Sequence, residues 1–260
     1  MLEHFFPNQL TRGAIECLIA ALTAFAVMLV ARRRAPDLLK EVPLAELRGL
    51  LQIVVVGAIL AALLHGPQWT SIFVLAGMVI AAASIVRKRA KQIPRAFVLA
   101  LIAIGAGAGS ILAIMTATGV IPLRILVLIP VGSMVIANTM NTQSLFLDRF
   151  RGEVLAHIGE IESALALGAS PDAAVELYLR AAFRSSLIPA IDNIRSLGIV
   201  WIPGIMAGMV LSGSSPIYAA LYQFVVLTTI FSASGLACFV ASHLVTRRIF
   251  SAHSQLLLRA

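Results

Sequence analysis

The sequence is poor in charged residues. Asp, Glu, Lys and Arg make up only 12% of its 260 residues, about half of the roughly 25% that is usual in soluble domains. Hydrophobic residues make up 60%, and the mean hydropathy is +0.96. This balance excludes an ordinary soluble domain, so we expect residues 1–260 to form a single transmembrane domain. In a membrane protein, the basic residues behind the net charge of +8 indicate the orientation in the membrane rather than nucleic-acid binding.

Several catalytic and nucleotide-binding motifs are absent. There is no G-x-x-x-x-G-K-[ST] pattern and no Gly-Lys pair, so this chain cannot cradle ATP phosphates in a P-loop. There is no H-E-x-x-H, and the histidines show no paired ligand spacing, which leaves metalloprotease chemistry unsupported. Cys17 and Cys238 lie in apolar runs, where we expect packing rather than a disulfide. We therefore expect neither an enzyme nor a bound cofactor.

Long apolar runs dominate what is present. At about 1.5 Å per residue, a run of roughly 20 residues crosses hydrocarbon about 30 Å thick. Seven runs qualify, the sixth marginally: Ala14–Ala31, Leu47–Leu64, Trp69–Val86, Phe97–Thr118, Leu123–Met140, Leu197–Leu211 and Leu221–Val245. The predicted fold class is all-α, a polytopic membrane protein with about seven transmembrane helices.

The distribution of Lys and Arg predicts the orientation. If the N-terminus lies outside, every basic residue except Arg12 and Arg124 falls on the inner side. Basic loops stay in the cytosol, so we expect the N-terminus outside and the C-terminus in the cytosol. The expected location is the bacterial inner membrane.

One charge-rich segment, at about residues 145–188, lies between predicted spans five and six and is then cytosolic. An apolar stripe at helical spacing runs along its first half: Phe146, Phe150, Val154, Ile158, Ile161 and Leu165. Gly168 is expected to end this helix, and Ser170-Pro171-Asp172 to begin another with an N-cap and an N1 proline. The predicted two-helix elbow is either a plain amphipathic connection or the place where a partner grips the chain.

This elbow resembles a known coupling element. Glu162–Ala164, followed after three residues by Gly168, looks like the EAA-x3-G loop by which permease subunits of bacterial ABC transporters engage their ATPase. The Ile-x-Leu-Pro that usually follows the glycine is missing, and its nearest counterpart, Ile188-Pro189, comes later.

A wider resemblance covers nearly the whole chain. The matching segments are Leu47–Gly57, Ile129–Met134 with Asn138 and Met140, Gly159–Glu162, Leu167–Pro171, Leu187–Pro189 with Asp192, Gly198–Val200, Pro203–Gly208, Gly213, Pro216 and Tyr222-Gln223. Together they resemble the FetB-type iron-export ABC permeases, whose relatives include plant aluminium-sensitivity half-transporters. The chain departs from this family at Ala137, Trp201 and Arg195, where glycine, serine and lysine are more usual.

The resemblance implies a permease that exports iron or another metal and forms a homodimer with a separate cytosolic ATPase, which hydrolyses the ATP. The ATPase-coupling residues that it implies are Glu160, Glu162, Leu167, Gly168, Ala169 and Ser170. Two other classes stay open, namely an ATPase-independent secondary transporter or channel, and a non-transporting scaffold subunit.

Several side chains within the predicted spans are candidates for a transport path. Glu16 is either an interfacial carboxylate or a cation exit site. Asn138 and Asn141 share a helix face, where they either join helices or line a polar entrance. Met206 and Met209 offer thioethers, which are more often packing groups than ligands for iron. Any metal ligands stay unknown at this point.

Two other patterns favour structural roles. Asp192 and Arg195 lie three residues apart and are expected to pair with each other or with a neighbouring helix end. Gly105, Gly107 and Gly109 are expected to form a packing face rather than a nucleotide loop.

Overall fold

The computed structural model describes residues 9–34, 36, 38–63, 66–90, 92–251 and 255–258. In chain order the helices of these residues are α1 (Gln9–Ala31), α2 (Leu38–Leu63), α3 (Thr70–Arg89), α4 (Ala96–Ile104), a π-helix (Gly105–Gly109), α5 (Ser110–Ala117), α6 (Ile125–Ala156), α7 (Ile158–Ala166), α8 (Pro171–Ser196), α9 (Gly204–Leu211) and α10 (Pro216–Ile249). Apart from two isolated bridges, the described residues contain no β-structure, so the all-α prediction is confirmed for them. Three histidines and two basic residues considered above lie outside the described residues: His4, His65, Lys91, His253 and Arg259.

The chain divides into two units, Met1–Gly66 and Pro67–Ala260. The first unit contains α1 and α2, which hold candidate spans at Thr11–Val30 and Glu41–Ile59. No residue of either hydrophobic window is buried. Helices that are apolar on all sides and expose those side chains are typical of a lipid environment, because water would not tolerate them.

The second unit is a helical bundle in which α6, α8 and α10 pack against one another, while α3 packs on α6 and α4. Small and branched side chains fill its core around two phenylalanines of α6. Phe146 and Phe150 are fully buried, and their rings stack with centroids 6.2 Å apart. Both belong to the apolar stripe predicted from the sequence, and this stripe anchors the end of α6 in the bundle.

The glycine string forms the π-helix between α4 and α5. A Cβ atom on Gly107 would come within 2.5 Å of the Ala233 carbonyl oxygen of α10, so the absence of a side chain lets these two helices touch. Gly105 and Gly109 face open space within the structure. The predicted packing face is therefore confirmed at Gly107 only.

Among the described residues, six helical segments are long and apolar enough to cross a membrane, one fewer than predicted. One of them, Ala96–Ala117, consists of α4, the π-helix and α5. The difference lies at Leu197–Leu211. A turn with Gly198 at φ +75° occupies the start of this run, and α9, with eight residues, is only about 12 Å long. Hydropathy alone does not register this break, because the residues of the turn are as apolar as those of a helix.

α6 and α10 run in the same direction. Near their first turns they line one cavity of about 350 Å³, with Leu126 on α6 and Tyr222 on α10. Near their last turns, Arg151 of α6 and Arg248 of α10 both donate hydrogen bonds of 2.6 Å to the turn formed by residues 92–95. The connection between the two helices, residues 157–215, therefore returns from one end of the bundle to the other, chiefly through α8.

The charge-rich segment at 145–188 is not a separate insert between helices. α6 continues without a break through Ala156, and α8 continues through Ser196. The single helix expected over Phe146–Leu165 is instead interrupted at His157, which ends α6 and precedes α7. Charged residues in the sequence therefore do not mark the end of a helix, because the length of a helix depends on how it packs in the core.

Candidate coupling site

The elbow consists of α7, the turn at residues 167–170 and the first two turns of α8. α7 leaves α6 at His157, whose φ of −121° and ψ of 27° depart from helical geometry. The backbone N–H groups of Glu160 and Ile161 donate to the His157 carbonyl oxygen, at 3.1 Å each, and begin the new helix there. α7 is therefore a short helix of nine residues with its own direction.

The turn after α7 is a Schellman motif. Gly168 has a φ of +92°, a conformation that residues with a Cβ atom rarely adopt. Its N–H donates to the Leu165 carbonyl at 3.0 Å, and the Ala169 N–H donates to the Ala164 carbonyl at 3.0 Å. This pattern satisfies the last carbonyl groups of α7 and confirms the predicted role of Gly168 as the residue that ends the helix.

α8 begins as the sequence predicts. The Ser170 hydroxyl accepts a hydrogen bond of 3.3 Å from the Ala173 N–H, Pro171 occupies the first helical position, and Asp172 lies in the first turn. Each feature suits a helix N-terminus, where N–H groups lack intrahelical acceptors and negative charge is favoured. The elbow is thus held by backbone hydrogen bonds at the end of α7 and by the Ser170 side chain at the start of α8.

Tyr178 joins the two arms of the elbow. Its hydroxyl donates to the Glu160 Oε2 atom at 2.9 Å, and its ring stacks on the His157 ring with centroids 4.8 Å apart. Burial raises the pKa of Tyr178 above its ordinary value, and the Glu160 carboxylate raises it further, since it accepts the hydrogen bond and repels the phenolate. Sequence reasoning missed this tyrosine, although its spacing from Val175 and Ala182 marks one helix face.

The tip of the elbow exposes an apolar side chain. Leu167 is 90% exposed, and Glu162, Gly168 and Ser170 are exposed as well, whereas Ala169 is half-buried. Burying a leucine in a groove of a partner would contribute about 1.5–3 kcal/mol. The structure thus brings five of the six predicted coupling residues to or near the tip, while Glu160 is engaged with Tyr178.

The polar candidates for a transport path make local contacts. Glu16 lies in the first unit, where its Oε1 atom is 3.0 Å from Arg12 Nε. Asn138 donates through Nδ2 to the carbonyl of Met134, one turn earlier in the same helix, at 2.8 Å. Asn141 is exposed. Among the described residues, neither asparagine side chain bonds to another helix, so the structure does not show the helix-joining role considered for them.

Met209 contributes to the cavity of about 350 Å³ between α6, α9 and α10, together with Tyr218 and Tyr222. Met206 is half-buried on the same short helix but does not line this cavity. Asp192 and Arg195 pair at 3.8 Å, as expected from their spacing. Among the described residues, no group of three or more His, Cys, Asp and Glu side chains could hold a metal ion.

The chain matches the family described as Uncharacterised protein family (UPF0014) over residues 14–250, which include every helix of the second unit. The chain belongs to this family.

Its relatives are membrane proteins from bacteria and plants. The chain is 28% identical to the probable iron export permease protein FetB of Escherichia coli, over 98% of this chain and 97% of FetB. It is 31% identical to the UPF0014 membrane protein YjkA of Bacillus subtilis, over 84% and 87% of the two chains. It is 26% identical to the protein ALUMINUM SENSITIVE 3 of Arabidopsis thaliana, over 94% and 90%. No solved structure matches the chain. This member of the family is a multi-pass membrane protein, as its composition predicts.

The bundle of this UPF0014 protein also buries polar atoms that sequence reasoning missed. Gln143 of α6 and Gln223 of α10 are buried, and neither amide has a hydrogen-bond partner among the described residues. Other buried polar atoms without such a partner belong to Ser71, Thr139, Ser144, Tyr222 and Ser234. An unsatisfied buried polar group costs about 1–3 kcal/mol. The available signal in the sequence was the presence of polar residues within apolar runs. The candidates for a transport path included asparagines on this basis but no glutamine.

Proposed function

We propose that this chain is the membrane-spanning permease subunit of an ABC transporter that exports iron or another metal. In this proposal a separate cytosolic ATPase hydrolyses ATP, two copies of the chain form the transport path, and the elbow is where each copy receives the mechanical work. Membership of the UPF0014 family and the full-length similarity to FetB support the class of transporter.

The observation that carries the coupling role is the rigid, exposed tip of the elbow. The Schellman turn at Gly168, the N-cap at Ser170 and the hydrogen bond between Tyr178 and Glu160 hold the tip in one conformation. Leu167 then projects with 90% of its surface exposed. A preorganised turn loses little conformational entropy when it docks, so it suits a contact that must transmit force.

α8 can carry that force into the bundle. It has 26 residues, is about 39 Å long and packs against both α6 and α10. A displacement at the elbow therefore moves a helix that reaches the turn at 197–203 and the neighbouring α9. We propose alternating access, in which closure of the ATPase pushes the elbow and tilts α8 between an inward-open and an outward-open bundle.

The same proposal accounts for the broken run at Leu197–Leu211. Because α6 and α10 run in the same direction, one return crossing must lie between them, and α8 with α9 provides it in two pieces. Seven crossings then place the N-terminus outside and the C-terminus in the cytosol, in agreement with the distribution of basic residues. The proposed location is the bacterial inner membrane.

Co-purification with the presumed ATPase tests the coupling role. Leu167→Asp removes the apolar tip without touching the bundle, so we expect binding to weaken roughly 10- to 100-fold, which corresponds to about 1.5–3 kcal/mol. The matched control is Leu177→Asp, the same change within the elbow but ten residues from the tip, at a leucine of α8 that is 72% exposed. The control should bind normally and should support ATP-driven uptake of iron into inside-out vesicles, the direction that corresponds to export from the cell.

The outcome also separates the rival classes. Efflux that persists in Leu167→Asp, or that needs no ATPase at all, would identify a secondary transporter or channel and end the coupling proposal. ATPase binding without any metal flux would identify a scaffold subunit. A complex that the two leucine variants weaken equally would remove the tip as the docking point.

A further inference from the structure

A second cavity lies at the turn between α3 and α4, far along the chain from the elbow. It has a volume of about 800 Å³ and is partly open to the surroundings. One part of its lining is basic, with Arg87, Lys88 and Arg95, and another part is apolar, with Ile93, Phe97 and Val98. This combination of cations and apolar groups in one cavity is not used by the proposed transport mechanism.

The cations of this cavity lack counter-charges. The sequence has no Asp or Glu from Pro67 to Leu147, and no carboxylate of the described residues lies within 4.0 Å of Arg87, Lys88 or Arg95. Asp148 of α6, the first acidic residue after this stretch, is exposed and forms no ion pair among the described residues. The positive charge of the cavity is therefore available to an external anion.

Two further cations converge on the same turn from other helices. The Arg248 Nη1 atom of α10 donates to the Arg95 carbonyl oxygen at 2.6 Å, and the Arg151 Nε atom of α6 donates to Gln92 Oε1 at 2.6 Å. These bonds fix the turn while bringing more positive charge to it. Like charges held together without carboxylates repel one another, and a bound anion would relieve that repulsion.

The start of α4 adds hydrogen-bond donors to the cavity. Ala96, Phe97 and Val98 form its first turn and belong to the lining, and Arg95 provides no side-chain cap. The first N–H groups of a helix have no intrahelical acceptors and favour anions, phosphate in particular. The cavity thus combines this helix start with three independent cationic side chains.

The position of the cavity indicates where the anion comes from. α3 has 20 residues and is about 30 Å long, the thickness of the hydrocarbon core, with exposed Trp69 before its first turn and Arg87, Lys88 and Arg89 in its last. The basic lining therefore lies at the level of the lipid headgroups. Phe97 and Val98 begin the apolar span Ala96–Ala117 and lie at the level where acyl chains begin.

We propose that this cavity binds the phosphate of an anionic phospholipid, with the headgroup on Arg87, Lys88 and Arg95 and the start of an acyl chain on Phe97 and Val98. A free phosphate would use only the basic part of the lining, whereas a lipid uses both parts. The bound lipid would hold the turn between α3 and α4 at the membrane surface.

Lipid binding to the purified full-length chain tests this proposal. Phosphatidylglycerol is titrated into protein in a zwitterionic detergent, with phosphatidylcholine and inorganic phosphate in parallel, and the complexes are counted by native mass spectrometry. Each basic residue at an anionic membrane surface contributes roughly fivefold to binding, so Arg87→Gln with Lys88→Gln should weaken phosphatidylglycerol binding roughly 25-fold. The matched control, Arg149→Gln with Arg184→Gln, removes the same charge outside the cavity and should bind as the unaltered chain does.

Arg95→Gly provides a variant whose folding is not at risk. Arg95 has a φ of +54°, a conformation that glycine adopts without strain, so the change removes a cation and relieves the backbone. We expect weaker phosphatidylglycerol binding with unchanged or higher thermal stability. Equal losses in the cavity pair and the control pair, or binding of inorganic phosphate as tight as that of phosphatidylglycerol, would overturn the proposal. The proposal would also be overturned if Arg87→Gln with Lys88→Gln bound phosphatidylglycerol normally but no longer bound the ATPase. The cavity would then be a contact site for that protein.

Discussion

The contact of Gly107 with α10 predicts a large difference between two substitutions of the same kind. A Cβ atom at Gly107 would lie 2.5 Å from the Ala233 carbonyl oxygen, 2.7 Å from the Ala237 Cβ atom and 2.8 Å from the Ala237 nitrogen. None of these atoms can rotate away, because each belongs to the backbone of α10 or is bonded directly to it. In Gly107→Ala, α10 itself must therefore move.

Gly105→Ala is the matched control for this change. It lies in the same π-helix, two residues earlier, and its new Cβ atom would meet nothing within 4 Å. Both variants gain the same helix preference of alanine over glycine, about 1 kcal/mol, so this gain cancels in their comparison. What remains is the overpacking cost, and we expect Gly107→Ala to be less stable than Gly105→Ala by about 1–3 kcal/mol.

The free energy of unfolding of both variants can be measured by titration with sodium dodecyl sulfate in mixed micelles, followed by far-ultraviolet circular dichroism. Gly109→Ala serves as a second control, since its Cβ atom would also be unhindered. If the three variants unfold at the same detergent fraction, the π-helix and α10 do not touch at Gly107 and the packing described for the π-helix is incorrect.

Three further predictions concern the elbow and the buried amides. Ser170→Ala removes the acceptor for the Ala173 N–H and should destabilise the start of α8 by about 1 kcal/mol, seen as faster hydrogen exchange confined to that turn. Because folding raises its pKa, Tyr178 contributes stability that is complete below its unfolded pKa of about 10 and declines as the pH rises through the higher folded value. Tyrosinate absorbance in the unaltered chain and in Tyr178→Phe should show this late titration, and the variant should lose about 0.5–1.5 kcal/mol at neutral pH. Gln143→Leu replaces a buried amide without a described partner, so it should raise thermal stability while lowering metal efflux if the amide serves the cargo.

Each of these outcomes has a clear opposite. Exchange that accelerates throughout α8 in Ser170→Ala would show that the cap supports the whole helix. A Tyr178 that titrates at its unfolded pKa would contradict the hydrogen bond to Glu160. Lower stability in Gln143→Leu would show that the amide has a structural partner, and unchanged efflux would remove it from the transport path.

Local signals in the sequence predicted the elbow closely. Gly168, Ser170 and Pro171 occupy the positions that their chemistry favours, because helix ends depend on hydrogen bonds between residues a few positions apart. The extent of the helices was harder to predict. α6 continues to Ala156 because Phe146 and Phe150 pack into the core, and that packing comes from residues distant in the chain.

The pairing of Tyr178 with Glu160 also escaped prediction. The two residues are separated by the turn at Gly168, so their distance depends on the angle between α7 and α8. The amide side chains predicted for the transport path are not the ones that the structure buries. Asn138 bonds within its own helix, whereas Gln143 and Gln223 are the amides that the bundle buries, because burial depends on which face each helix turns toward its neighbours.

The sequence by itself determined the solvent, the helical class and the turn chemistry of this protein, since hydropathy, basic loops and helix caps all depend on residues close together in the chain. Its resemblance to a family also anticipated membership of UPF0014. Only the tertiary structure decided that the run at Leu197–Leu211 is broken, that Gly107 alone of its string touches α10, and that unpaired cations from several helices meet at one turn. Those features arise where distant segments pack, and no local pattern specifies how they meet.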